Sequence, residues 1–184
     1  ASDVYKRQIE KVTLQDAWGN VNFYLLPFVK PSMVKPVVGT EENGNLLSYQ
    51  ESLRRMMERE QIREEERNVC VSHQFYLPVG TGAEQVQRMD SEICTVGNID
   101  QVSAEILKQF DYSALGHIHK PMKVGGDRIR YCGTPMQYSV SEAGQKKAIL
   151  MVELKEKGNV EISAVPLHPL RDMRKIRGSY MEVT

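Results

Sequence analysis

Short runs of alternating apolar and polar residues predict a series of strands separated by turns. Two such runs, at residues 9–14 and 21–26, flank a turn at residues 17–20 and predict a hairpin. An apolar run that starts at residue 68 and ends at His73 predicts a buried strand. Further strands are predicted at residues 93–96, 112–115, 122–124, 129–132, 148–154, 160–165 and 181–183.

Two segments have a helical pattern instead. Residues 46–67 place apolar side chains at helical spacing among mixed blocks of Arg and Glu, which predicts a helix. The mixed charges favour a solvated helix face over a binding surface. A shorter helix is predicted at residues 103–110, and a long loop occupies most of residues 80–100. Pro27, Pro31 and Pro36 predict an extended connection. Helices among these strands indicate an α/β protein, whose β-rich C-terminal part suits the second sheet of a sandwich.

Composition limits the interpretation only slightly. The chain has 184 residues, enough for one domain or most of one, and its 24 Lys and Arg balance its 24 Asp and Glu. Any contact with DNA must therefore come from local basic clusters. One cluster follows residue 119 and the other lies near the C-terminus: Lys120, Lys123, Arg128 and Arg130, then Arg171, Arg174, Lys175 and Arg177. Charges that only confer solubility are the alternative for both clusters.

The three cysteines and the lack of long apolar runs bear on location. Cys70, Cys94 and Cys132 are widely spaced and lie among apolar residues, which is typical of buried thiols in a reducing cytoplasm. No apolar run reaches the ~18 residues that a membrane span requires. We therefore expect a cytoplasmic protein with no membrane partner.

A pair of histidines follows the predicted strand at residues 112–115. Gly116 allows a sharp turn, and His117 and His119 come next with one residue between them. Their imidazoles are expected to leave the strand end in different directions, so each could bind a different metal ion. An ordinary exposed pair of histidines is the alternative.

His73 repeats this arrangement at the end of another predicted strand. Ligands in α/β sheets are held where strands end, so two such sites suggest one shared cleft. The alternative is a hydrogen-bonded histidine at the edge of the core. His168 lacks the strand-then-glycine context and is expected to have a surface or packing role. Gln74 and Asp100 lie close to these motifs in sequence, but proximity alone assigns them no role.

Several stretches occur in an order that resembles one protein family, the SbcD nucleases of the calcineurin-like metallophosphoesterase superfamily. The Gly-His-x-His element is shared by many phosphoesterases, whereas Leu-Leu-Pro-Phe and Arg-Asp-Met-Arg are more specific to SbcD. The matching stretches are VTL at 12–14, FYLLPFVKP at 23–31, VSHQF at 71–75, FDYSALGHIHKP at 110–121, RYCGTP at 130–135, YSVSEA at 138–143 and PLRDMR at 169–174.

The resemblance implies a sandwich of two mixed sheets flanked by helices, of which this chain is the C-terminal part only. It implies two manganese ions, with His73, His117 and His119 among about seven ligands; Mg²⁺, Zn²⁺ or iron remain alternatives. The family's Asp-x-His, Gly-Asp-x-x-Asp and Gly-Asn-His-Asp motifs are absent from the sequence. We therefore expect a fragment: residues 9–184 match the nuclease domain without its upstream motifs and capping domain, and residues 1–8 look like a read-through artefact.

The resemblance also implies a function and partners. SbcD cuts double-stranded DNA ends and hairpins together with the SbcC ATPase, as a homodimer within a heterotetramer. Lys120, Lys123, Arg128 and Arg130 are the candidate DNA contacts. Two other functions stay open, namely a metallophosphoesterase acting on a small phosphodiester or a phosphoprotein, and a non-catalytic partner-binding module. The fragment alone is expected to bind metal weakly and to cleave nothing.

Overall fold

The computed structural model describes residues 8–78 and 101–178. These residues contain two helices, α1 (Pro31–Val38) and α2 (Tyr49–Arg59). Short 3-10 turns lie at Ala104–Leu107 and Val140–Glu142. The strands are β1 (Glu10–Asp16), β2 (Gly19–Leu26), β3 (Arg67–Ser72), β4 (Tyr76–Leu77), β5 (Val102–Ser103), β6 (Tyr112–Leu115), β7 (Met122–Lys123), β8 (Ile129–Tyr131), β9 (Ala148–Leu154) and β10 (Val160–Pro166).

A six-stranded mixed sheet forms the centre of the molecule. Its strand order is β1-β2-β3-β6-β8-β7. The four inner strands β2, β3, β6 and β8 run parallel, while β1 and β7 pair antiparallel at the two edges. The carboxyl ends of the four parallel strands therefore meet at one edge of the sheet, where α/β proteins bind ligands.

The two faces of this sheet are covered by different layers. On β3, Cys70 belongs to the main apolar core, which includes helix residues such as Leu53 and Met56. Val69, one position earlier, belongs to a smaller cluster on the other face, where Val152 of the β9–β10 hairpin packs. This alternation follows from the two-residue period of a strand. Helices, sheet and hairpin form three layers, which confirms the predicted α/β class.

Most of the predicted strands are present. The β1–β2 hairpin is confirmed, with Asp16 paired to Gly19 across its turn. The predicted strands at Tyr112–Leu115 and Ala148–Leu154 have the bounds that were expected. Strands β7 and β8 extend the central sheet, whereas β9 with β10 and β4 with β5 form two separate two-stranded sheets in the described residues. The predictions at residues 93–96 and 181–183, and the whole of the 80–100 loop, lie outside the described residues.

The long helix predicted at residues 46–67 is wrong at both ends. Helix α2 begins after Ser48, whose side chain accepts a hydrogen bond from the Glu51 backbone N–H, and it ends at Arg59. Gln61 then has a positive φ of 47°, which a right-handed helix does not allow. Arg67 lies in β3, where its guanidinium donates to the Asp16 carboxylate. A pattern of charges among apolar residues did not reveal this reversal of the chain.

The extended connection predicted from the prolines is also wrong over half of its length. Helix α1 starts at Pro31, because a proline at the first helical position has a suitable φ and its missing N–H has no partner to lose. Pro36 lies inside the helix, where its lack of an N–H removes one hydrogen bond. Val34 and Val38, four residues apart, are buried against the core and hold the short helix in place.

The cysteine prediction is partly corrected. Cys70 is fully buried, and desolvation raises the pKa of its thiol to about 12. Cys132 is exposed, because it follows β8 in the loop at the sheet edge instead of continuing the strand. Cys94 lies outside the described residues.

The helices are short in relation to a lipid bilayer. Helix α1 has 8 residues and α2 has 11, whereas a membrane span needs about 20. Within residues 8–78 and 101–178, no helix has the length and apolar character for crossing a membrane.

Candidate metal centre

His73 and His117 meet at the carboxyl edge of the central sheet. His73 follows β3 and His117 follows β6, and these strands are parallel neighbours. The centroids of the two imidazole rings lie 5.5 Å apart, and the rings are nearly perpendicular at 82°. The two strand ends thus bring these two histidines together, and their role as metal ligands stays a prediction.

Gly116 makes this approach possible. Its backbone N–H donates to the Ser72 carbonyl at 2.9 Å, which continues the pairing of β3 and β6 one residue beyond the strand. A Cβ atom at Gly116 would lie 2.7 Å from Nδ1 of His73. Any side chain larger than hydrogen at residue 116 would thus push the His73 ring away.

His117 has an unusual backbone conformation. Its φ is +106°, a region that non-glycine residues rarely adopt. Such conformations cost about 1–3 kcal/mol and cluster at functional sites, where the surrounding structure enforces them. This conformation turns the chain between the end of β6 and the buried residue Ile118.

Aromatic side chains surround the His117 ring. Phe28, which follows β2, stacks on it with an interplanar angle of 3° and a centroid distance of 6.1 Å. Phe75 lies 6.0 Å away on the His73 side. Phe28 is partly exposed and Phe75 is buried, so the ring lies between an apolar wall and solvent.

His119 has different neighbours. Its Nδ1 atom lies 3.1 Å from Oε1 of Glu142, and its ring lies 6.0 Å from the ring of Tyr138. The His119 side chain is 47% exposed, whereas Glu142 has no exposed surface. One side of the imidazole is therefore anchored in the protein, while the other side remains accessible.

Glu142 and Lys147 form a buried ion pair beneath His119. Lys147 Nζ donates to Glu142 Oε2 at 2.6 Å, and both side chains are at most 3% exposed. Burial by itself raises the pKa of the Glu142 carboxyl, but hydrogen bonds from Lys147, His119 and Thr134 outweigh it and lower the pKa to about 2. The carboxylate is therefore ionised at neutral pH.

The same network holds the backbone of His119. Its carbonyl oxygen accepts hydrogen bonds from Lys147 Nζ and from the Thr134 backbone N–H, both at 3.1 Å. Gly133 packs against this carbonyl with a φ of +80°, and a Cβ atom there would lie 2.7 Å from the carbonyl oxygen. The ring and the main chain of His119 are thus fixed by one set of side chains.

The three predicted ligands fit a divalent cation in their chemistry, but they do not complete a site. His73, His117 and His119 are all exposed residues, so a cation could reach them from solvent. The carboxylate on Nδ1 of His119 is an arrangement typical of metal-binding histidines. Across the described ranges, however, no three His, Cys, Asp or Glu side chains form a group that could hold a metal ion.

The first basic cluster lies near the end of the same loop. Lys123 on edge strand β7 pairs across the ladder with Arg130 on β8, and its amine forms an ion pair with Asp127. The Arg128 guanidinium donates to the Gly158 carbonyl, and Lys120 is exposed directly after His119. Lys123 and Arg128 thus already have protein partners, which weakens their prediction as DNA contacts.

A second group of basic residues lines a cavity of about 910 Å³. Arg171, Arg174 and His168 lie on its wall, and so does Tyr138, whose ring neighbours that of His119. The cavity therefore lies beside the histidine loop. Lys175 and Arg177, the other members of the predicted C-terminal cluster, are exposed.

Sequence reasoning missed the residues that hold His119. Glu142, Lys147 and Thr134 lie 15 to 28 positions from it, so no local pattern connects them. The one available signal was that Thr134 and Glu142 fall inside the stretches that resemble SbcD, without an assigned role. Gln74 is buried and donates to the Pro27 carbonyl, which anchors the loop after β3, and Asp100 lies outside the described residues.

Comparison of the chain with models of known protein families finds no match. The function proposed below therefore rests on the sequence resemblance together with the arrangement of the side chains.

Proposed function

We propose that this chain supplies the C-terminal part of the nuclease domain of an SbcD-type metallophosphoesterase, whose complete form hydrolyses DNA phosphodiester bonds at double-strand ends and hairpins. His73, His117 and His119 are its contribution to a centre of two divalent ions, manganese by resemblance. In the family, the remaining ligands come from motifs that lie upstream of the residues matched here. The cellular partner is an SbcC-type ATPase, and the site of action is the cytoplasm.

The convergence of separate strand ends supports this proposal most strongly. His73 and His117 come from two parallel strands, and their ring centroids lie 5.5 Å apart. Both histidines are exposed residues, which does not fit the alternative of a histidine buried at the edge of the core. The close approach requires Gly116, and a strained backbone at His117 accompanies it. Strain of this kind favours a functional role over an ordinary exposed pair.

The chemistry of phosphodiester cleavage explains the need for such ligands. Two bound cations neutralise the phosphate and activate a water molecule for attack. Imidazoles bind these cations in their neutral form, so metal affinity is expected to fall as protons compete at low pH. His73, His117 and His119 would help to hold these ions. Phe28 and Phe75 would restrict the movement of the His117 ring and so limit the orientations in which it can bind.

Manganese-dependent release of nucleotides from linear duplex DNA tests the proposal, using the complete product of the gene that encodes this chain. The comparison is between the parent, His119→Ala and the control His168→Ala, which changes a histidine that is not a proposed ligand. We expect release by the parent and the control, and at least a hundredfold loss in His119→Ala.

Three outcomes would contradict the proposal. Equal release by the parent and His119→Ala would remove His119 from the centre. Hydrolysis of a small phosphodiester, with no release from DNA by a folded parent, would favour the small-ester phosphoesterase. Failure on both substrates would favour the non-catalytic binding module.

A further inference from the structure

Glu142 is the most completely hydrogen-bonded buried charge near the histidine loop. It ends the 3-10 turn Val140–Glu142, and no part of it is exposed. Oε2 accepts from Lys147 Nζ at 2.6 Å and lies 3.1 Å from the Thr134 hydroxyl. Oε1 lies within 3.3 Å of three groups, namely the Ser139 hydroxyl, the Tyr138 backbone N–H and Nδ1 of His119.

The charge on Glu142 determines which nitrogen of His119 carries the proton. An ionised carboxylate can only accept hydrogen bonds, and the buried ammonium of Lys147 favours the ionised form. Nδ1 of His119 must therefore donate. In the neutral imidazole this leaves Nε2 with a free lone pair, which is the form that binds a metal ion.

The hydrogen bond is not required to satisfy a buried ring. The His119 side chain is 47% exposed, so the ring as a whole is not a buried group whose every polar atom must find a protein partner. Lys147 also has other acceptors, since it donates to Gln145 Oε1 and to the His119 carbonyl. A carboxylate held inside the protein and directed at one nitrogen of an exposed ring instead restricts the orientation and tautomer of that ring.

We propose that Glu142 is a positioning residue: it fixes His119 as the Nδ1–H tautomer and presents Nε2 to a divalent cation, with Lys147 as its buried counter-charge. The metal-binding role of His119 in this inference rests on the function proposed above. The tautomer does not, because it exists in the protein without metal.

The test uses the 184-residue chain with ¹⁵N-labelled histidine, and His119→Gln assigns the His119 signals. Long-range ¹H–¹⁵N correlation spectra identify the protonated nitrogen of each neutral ring. Two variants are compared, Glu142→Gln/Lys147→Met and Glu142→Leu/Lys147→Met. Both remove the two buried charges, but only the glutamine retains an oxygen that can accept from Nδ1. Zn²⁺ is the diamagnetic probe, and its binding is followed at Nε2 of His119.

We expect the parent to show the Nδ1–H tautomer at His119. The leucine variant should lose this preference and bind Zn²⁺ at His119 roughly 10- to 100-fold more weakly, as for other partners of metal-binding histidines. The glutamine variant should recover part of both properties, which a purely structural role for Glu142 would not produce.

An Nε2–H tautomer in the unmodified chain would overturn the proposal, whether or not the variants fold. Equal tautomer populations and equal Zn²⁺ affinity in the parent and a folded leucine variant would also overturn it. Nuclease activity plays no part in these measurements. A failed nuclease assay would therefore contradict the proposed function alone.

Discussion

His117 and His119 are separated by one residue, yet different forces hold them. The His117 ring contacts the rings of Phe28 and Phe75, and its backbone is strained at a φ of +106°. The His119 ring is held by a hydrogen bond to a buried carboxylate, and its carbonyl by a buried lysine. Packing and backbone strain thus orient one histidine, while charge and hydrogen bonding orient the other.

This difference shows how one loop can direct two imidazoles independently. Packing interactions are insensitive to pH and respond to the size of side chains. A buried charge network responds to protonation and to the loss of either partner. Substitutions beside His117 and substitutions beside His119 should therefore differ in how their effects on stability depend on pH and on side-chain size.

The largest effect is expected from breaking the buried ion pair beneath His119. Lys147→Met leaves Glu142 buried without its main counter-charge, which should lower the free energy of unfolding by about 3–5 kcal/mol. The double variant Glu142→Gln/Lys147→Met removes both charges and should cost less than this single substitution. Urea denaturation measures both. A double variant less stable than Lys147→Met would contradict the charge-network account.

Low pH should remove the stabilisation that the ionised Glu142 carboxylate gives to the folded protein. The pKa of Glu142 is lowered to about 2 in the folded protein from an ordinary value of 4.5, so the folded state favours the ionised form. Its stabilisation is fully present above about pH 4.5 and is lost as the pH falls toward 2. Unfolding free energies measured across this range should decline more steeply in the parent than in Glu142→Gln/Lys147→Met. Parallel curves would show that Glu142 is not the group responsible.

Gly133→Ala is expected to have the next largest effect, with Gly144→Ala as its matched control. The two glycines have almost the same φ, +80° and +84°, so alanine should cost about 1–2 kcal/mol of conformational strain at each. Only at Gly133 would the new Cβ meet a backbone atom, the His119 carbonyl oxygen at 2.7 Å. Overpacking should add about 1–3 kcal/mol there. Equal losses of stability in Gly133→Ala and Gly144→Ala would mean that Gly133 does not pack tightly against the His119 carbonyl oxygen.

The smallest effect concerns the backbone of His117. Alanine normally stabilises a protein relative to glycine by about 0.4–1 kcal/mol. At a φ of +106° we expect the opposite, with His117→Gly more stable than His117→Ala by about 1 kcal/mol. Both variants lose the ring and its aromatic contacts, so their difference in thermal or urea stability reports the backbone alone. A more stable alanine variant would show that the strain is absent.

Local patterns predicted the strands better than the rest of the molecule. Strand β6 is a short apolar run that ends at a glycine, and β9 alternates between half-buried and exposed residues, so both were visible as local features of the sequence. The start of α1 was missed because Pro31 was interpreted as a break and not as a helix start. Helix α2 was overextended because Arg67 belongs to a strand that pairs with β2, where Val21 is its partner.

The residues of the candidate site also fall into those that local sequence patterns could predict and those that they could not. Gly116 and the three histidines could be found because the end of a strand is a local feature of the sequence. The Glu142–Lys147 pair could not, since its position beneath His119 depends on how the segment after β8 folds back onto the loop. A pair of oppositely charged residues in a loop looks the same in sequence whether it is exposed or buried.

Whether His73, His117 and His119 share a cation site is most directly tested by adding Mn²⁺ to the chain with ¹⁵N-labelled histidine. The chain has four histidines, so His168 serves as an internal reference. Manganese broadens the signals of nearby nuclei even when it binds weakly. The account predicts that the ring signals of His73, His117 and His119 broaden together at Mn²⁺ concentrations that leave His168 sharp. Equal broadening of all four rings, or earlier broadening of His168, would contradict it.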